Sequence, residues 1–139
     1  MTMKKIIALD IGTVRIGVAI SDPESKIAMP LTTVNVSPNT DPIEEIATII
    51  AANDVSHIVA GWPLDLDGSE GNAVKRTRAF LQKLKKRLPN LKIAKQDERL
   101  TSVAAEQALQ DMGTTGSHKK KRVDAIAATM ILQMFLDKK

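Results

Sequence analysis

Four consecutive apolar residues, Ile6-Ile7-Ala8-Leu9, run directly into Asp10-Ile11-Gly12-Thr13, and few folds have room for such a segment. A short unbroken apolar run reads as a strand buried on both faces, in the middle of a sheet. A carboxylate at the end of that strand is costly to desolvate. Asp10 therefore either hydrogen-bonds its own turn or meets a cation. Gly12 permits a tight turn or a close approach to a ligand, and Thr13 offers a hydroxyl beside it.

The rest of the chain supplies the elements to surround that strand. Strand signals cover about 4–10, 15–20 and 31–36, close enough in sequence for an antiparallel meander. A helical pattern follows over about 41–53, with Ile43, Ile46, Ala47, Ile49 and Ile50 on one side. His57-Ile58-Val59-Ala60-Gly61 is a fourth strand, ended by Trp62-Pro63 and a polar loop to Gly71. A basic helix then runs to about Arg87 and stops before Pro89. Residues 91–95 form a fifth strand, and helices are predicted over about 101–112 and 123–136. The order βββαβαβαα predicts an α/β fold with a mixed five-stranded sheet, three antiparallel strands then two parallel, and helices on both faces. At 139 residues the chain is expected to be one domain, 1–139.

Composition removes several function classes. No apolar stretch approaches the roughly 20 residues that span a bilayer, and the amino-terminal apolar run is too short for a signal peptide. The absence of cysteine excludes disulfides and thiolate metal sites and makes the cytoplasm the expected compartment. His57 and His118 have no partner at zinc-ligand spacing and read as structural or solvated. Charge is polarised along the chain. Residues 1–74 hold four Lys and Arg against ten Asp and Glu, a balance of −6; residues 75–139 hold sixteen against six, a balance of +10. One basic cluster is Lys75, Arg76, Arg78, Lys83, Lys85, Lys86 and Arg87, which reads first as a solvated helix face. The other, His118 to Arg122, follows a Gly-Thr-Thr-Gly-Ser stretch and reads as a mobile anion-binding flap.

Two more carboxylates stand at telling places. Glu98 falls just beyond the fifth strand, where open α/β sheets collect ligands, although it also suits a surface carboxylate before the next helix. Asp124 lies in the first turn of the last helix, a position the macrodipole favours by itself. It also shares a helix face with Ala127, Ala128 and Ile131, at i+3, i+4 and i+7, which turns it toward the packed side. Three carboxylates converging at one sheet edge would suit Mg2+ or Mn2+ and the hydrolysis of phosphodiesters, with ions about 3.5 to 4 Å apart. A positive half beside an acidic centre fits a polyanionic substrate. With only Trp62, Phe80 and Phe135 as aromatics, recognition by backbone and shape is expected rather than base stacking, and Trp62 is expected to pack over the sheet edge.

The segments ALDIGTVRIGVAISD (8–22), GWPLDLDGSEG (61–71), DERLTS (97–102) and KKKRVDAIAATMILQ (119–133) together resemble the YqgF/RuvX family, relatives of the Holliday junction resolvase RuvC within the ribonuclease H-like fold. The resemblance covers essentially the whole chain. It implies Asp10, Glu98 and Asp124 as the acidic metal-binding and catalytic set. Thr13, Arg15, Arg99 and Thr101 are implied as companions, and Lys119, Lys120, Lys121 and Arg122 are expected to grip substrate. It further implies a nuclease acting on the 5′ end of pre-16S ribosomal RNA in ribosome biogenesis. Trp62 departs from the aliphatic residue more usual at its position. Other readings are a junction resolvase-type endodeoxyribonuclease, which would need a two-fold dimer, a non-catalytic nucleic-acid binding domain, and an actin-like sugar kinase lobe. The expected partner is nucleic acid, RNA before DNA, with no membrane, for a monomer or homodimer.

Overall fold

A computed structural model describes residues 5–64, 67–97 and 116–138, with side chains of the last segment described from Ala125 onward. Five strands form one sheet: β1 Lys5–Ile11, β2 Arg15–Ser21, β3 Ala28–Asn35, β4 Val55–Trp62 and β5 Lys92–Asp97. Their order is β3-β2-β1-β4-β5. The ladders β1 to β2 and β2 to β3 are antiparallel; β1 to β4 and β4 to β5 are parallel. This is the mixed sheet expected, with the Ile6–Leu9 run in its centre and fully buried on both faces.

Helices cover the two faces unequally. α1 (Pro42–Ala52) and α2 (Asn72–Arg87) pack on the side of Ile7, Leu9, Ile16, Val18, Ile58 and Trp62. α3 (Gly116–Asp137) covers the other side, burying Ala128, Ile131, Leu132 and Leu136 against Ile6, Ala8, Ala19 and Val59. The small residues Ala8 and Ala19 let this long helix lie close to the sheet. Gln133 fixes its position: the side-chain oxygen accepts from Ala28 N at 2.9 Å and Nε2 donates to Lys26 O at 3.1 Å.

Two boundaries differ from the sequence reading. β3 begins at Ala28, not near Leu31, and carries Pro30 across from Ala19 at a register shift. Proline is tolerated there because β3 is an edge strand and the irregularity spares the ladder an unmakeable bond. The last helix starts at Gly116 rather than about Val123. The basic block 119–122 is therefore helical backbone and not a loop flap, in keeping with the good helix propensity of Lys and Arg. The helix expected over 101–112 lies outside the described residues.

Candidate active site

Parallel strands β1, β4 and β5 place their carboxyl ends at one edge, and Asp10 stands there, half-buried, next to last in β1. Strand alternation fixes its side. Ile6 and Ala8 face α3 whereas Ile7, Leu9 and Ile11 face α1 and α2, so Asp10 belongs to the α3 side. Its partner on β2 is Gly17. On β4 the ladder pairs Leu9 with Ala60, and one residue further sets Asp10 beside Gly61. Gly61 in turn pairs with Gln96. By the same alternation Gly17, Gly61 and Gln96 all belong to the α3 side, following Ala19, Val59 and Ala94. The Asp10 carboxylate is thus flanked on both neighbouring strands by residues with no side chain, which leaves space over the sheet at this edge.

Gln96 closes that row and sequence reasoning passed over it. Its side chain is 4% exposed; Nε2 donates to Asp97 O at 3.3 Å, while Oε1 has no hydrogen-bond partner among the described residues. An unsatisfied buried acceptor costs about 1–3 kcal/mol. Counting two residues on from Ala94 along the strand alternation would have found it.

The path of α3 brings its amino half to the same edge. Gln133 is tied to Ala28, which pairs with Ser21, and Ser21 Oγ accepts from Ile6 N at 2.8 Å, so this part of α3 sits at the amino end of β1. Nine helical residues separate Gln133 from Asp124, a rise of about 13 Å. Ile6 to Asp10 spans about the same length at roughly 3.3 Å per residue. The intervening Ala127 and Ala128 are buried, as expected of the face that Asp124 shares. Asp124 lies in α3, with its side chain outside the described residues. Glu98, Arg99 and Thr101 are outside them as well, as are the side chains of Lys119, Lys120, Lys121 and Arg122. Among the described residues no three His, Cys, Asp or Glu gather as a metal site.

The turn after Asp10 is built from bare backbone. Gly12 N donates to Arg15 O at 3.0 Å, and a Cβ on Gly12 would meet that oxygen at 2.7 Å. Of the two uses expected for this glycine, the tight turn is the one observed. Thr13 is exposed and Arg15 half-buried.

Trp62, one residue past Gly61, turns to the opposite side. Its ring is 8% exposed and joins the α1/α2 core, with Lys95 Nζ 4.1 Å and Arg78 Cζ 5.5 Å from its centroid. Arg78 in turn pairs with Glu70 at 2.8 Å, and this guanidinium holds the Glu70 carboxyl below its ordinary range. The tryptophan packs, as expected, and anchors the loop to Gly71. His57 meets Phe135 edge-on at 5.7 Å, a structural contact.

The strand order and the carboxylate at the carboxyl end of the central strand define the ribonuclease H-like class of α/β proteins. The chain belongs to the RuvX family, whose model, described as Holliday junction resolvase, matches residues 4–138. A relative from Fusobacterium nucleatum, named "Putative pre-16S rRNA nuclease", is 44% identical over 99% of both chains; one of the same name from Chloroflexus aggregans is 42% identical over 99% of this chain and 96% of its own. Among solved structures, Thermus thermophilus RuvC bound to a Holliday junction superposes with a TM-score of 0.58 at 14% identity, covering 97% of this chain and 95% of that one. The Fowlpox virus resolvase in complex with junction DNA gives 0.58 at 12% identity, over 96% and 97%.

Proposed function

We propose that this chain, as a single domain spanning 1–139, is a divalent-metal-dependent nuclease that hydrolyses phosphodiester bonds in 5′-end processing of pre-16S ribosomal RNA. The observation that carries the reading is Asp10 at the carboxyl edge with glycine on either side. A carboxylate with open space around it, in one cross-strand row with a buried amide oxygen that has no donor among the described residues, suits a hydrated cation whose waters would reach across the row. The names of its relatives point to the ribosomal substrate.

Asp10, Glu98 and Asp124 would hold Mg2+ or Mn2+, hard ions that take oxygen ligands. When bound, such ions activate water and stabilise the leaving oxygen. The chain's own residues do the rest. Asp10 is held at a fixed height by the central strand, and Gly17 and Gly61 keep the approach clear for a phosphate. Thr13 and Arg15 border the turn beside it, with Arg99 and Thr101 as companions beyond β5. Lys119, Lys120, Lys121 and Arg122, in the first turns of α3, attract the substrate backbone toward Asp124. RNA is the expected partner, in the cytoplasm.

The test incubates the protein with pre-16S RNA, a four-way DNA junction and single strands in the presence of Mg2+ or Mn2+. Cleavage of the RNA alone is expected; cleavage of the junction alone would make the chain a resolvase. Asp10→Asn, Glu98→Gln and Asp124→Asn should each lower turnover by more than about a hundredfold, since even outer partners of metal ligands are worth about 10–100-fold. Near-normal turnover in two of the three would refute this site.

A further inference from the structure

The basic face of α2 has a use that the proposed catalytic edge leaves unassigned. The helix NAVKRTRAFLQKLKKR contains no acid, and its seven cations divide into two sets. Those flanking the packed side are engaged: Arg78 with Glu70, Arg87 with Glu44, and Lys85 Nζ with Leu91 O. Lys75, Arg76, Lys83 and Lys86 occupy the outward face, opposite buried Val74, Thr77, Leu81 and Leu84. All four are exposed and have no ion pair among the described residues.

That outward set runs against the electrostatics of the helix itself. Like charges three and four residues apart destabilise a helix, and the first turn carries neither an acid nor a side-chain cap, although negative charge is favoured there. α1 shows the ordinary arrangement: Asp41 caps it by accepting from Glu44 N, and Glu44 and Glu45 fill its first turn. A face that serves only solvation is better made with both signs. A groove of about 650 Å3, lined by Ala79, Gln82, Lys83, Lys85, Lys86 and Pro89, lies along the same helix, with no aromatic anchor of the kind protein interfaces use.

We infer that Lys75, Arg76, Lys83 and Lys86 form a track for the sugar–phosphate backbone of an RNA segment flanking the cleavage point. The placement follows from chain direction. α2 starts from the loop that leaves the carboxyl end of β4, so Lys75 and Arg76 stand near the catalytic edge and Lys86 near the opposite one. Lys75 to Lys86 covers about 16 Å of helix, long enough to lie along several consecutive backbone phosphates. The track rests on the nuclease reading only for which RNA is threaded along it.

The experiment measures binding of a ~20-base-pair RNA duplex at several salt concentrations, in an Asp10→Asn background so that no cleavage intervenes. Lys75, Arg76, Lys83 and Lys86 are replaced together by Gln, and Lys26, Lys92 and Lys138, exposed elsewhere, form the control set. The track predicts that the salt slope falls by about 3, close to one per lost contact, with affinity weakened at least about tenfold near 0.1 M salt. The control should shift the slope by less than about 1. An unchanged slope, or an equal fall in the control, overturns the track. Because binding is read without turnover, either result stands even if the chain cleaves none of the substrates offered above. All four side chains are exposed, so circular dichroism and an unreduced melting temperature should confirm that the variant folds.

Discussion

Gln96 separates two ways in which a buried polar side chain can be present. If it merely packs, its orphan oxygen is a burden, and Gln96→Leu should be neutral or stabilising, as when a buried group without partners gives way to an apolar one of similar shape. If the oxygen orients water on a bound ion, the same substitution should lower metal-dependent turnover by about 10–100-fold. The expected outcome combines both: a melting temperature unchanged or raised, and turnover reduced. Turnover equal to wild type would leave Gln96 a packing residue. Asp10 was legible in the sequence because a charge ending an apolar run is conspicuous. The glycines beside it were not, since Gly17 and Gly61 gain meaning only when the ladders set them level with Asp10, and pairing register is not written in either segment alone.

Elements were easier to read than their ends. The alternation of β and α patterns carried the sheet, because apolar runs of four to six residues flanked by turn residues leave little choice. The helix α3 escaped at its start because Gly113 and Gly116 read as a loop, whereas the lysines after them extend a helix once Val123 to Leu136 has nucleated it against the sheet. How α1 and α2 are joined was also hidden, being a contact across 43 positions. Arg87 Nε and Nη2 donate to the two Glu44 oxygens at 2.6 and 3.2 Å, a two-pronged pair that holds the Glu44 carboxyl below its ordinary value of 4.5. A carboxyl so depressed adds stability above that value and loses it as the pH falls through its folded-state titration. Arg87→Gln should therefore lower the melting temperature at pH 7, by at most about 3 °C for so exposed a pair. The difference from wild type should shrink as the pH falls below 4.5 and vanish once Glu44 is protonated in the folded chain; a difference that persisted in stronger acid would assign the effect to the arginine stem rather than its charge.

The proposed site, with one ligand from β1, one from beyond β5 and one from the start of α3, would draw on residues more than a hundred positions apart, so occupying it should be felt by the molecule as a unit. In that proposed site Asp10, Glu98 and Asp124 would repel one another without a cation, and folding would have to hold that repulsion. An ion that binds the folded chain and not the unfolded one adds RT ln(1 + [L]/Kd), about 2.7 kcal/mol at a hundredfold excess over Kd. For a domain of 139 residues that amounts to roughly 8–14 °C in melting temperature. Mg2+ or Mn2+ should raise the melting temperature of wild type as a smooth function of concentration, with no such rise for Ca2+-free monovalent salt at equal ionic strength. Asp10→Asn should behave oppositely on both counts, melting higher than wild type without divalent ions, since one repelling charge is gone, and gaining little when they are added. Calorimetric scans of the two proteins across a Mn2+ titration decide the matter. Parallel curves would mean that Asp10 is no ligand, and that its place between two glycines serves the turn at Gly12 instead.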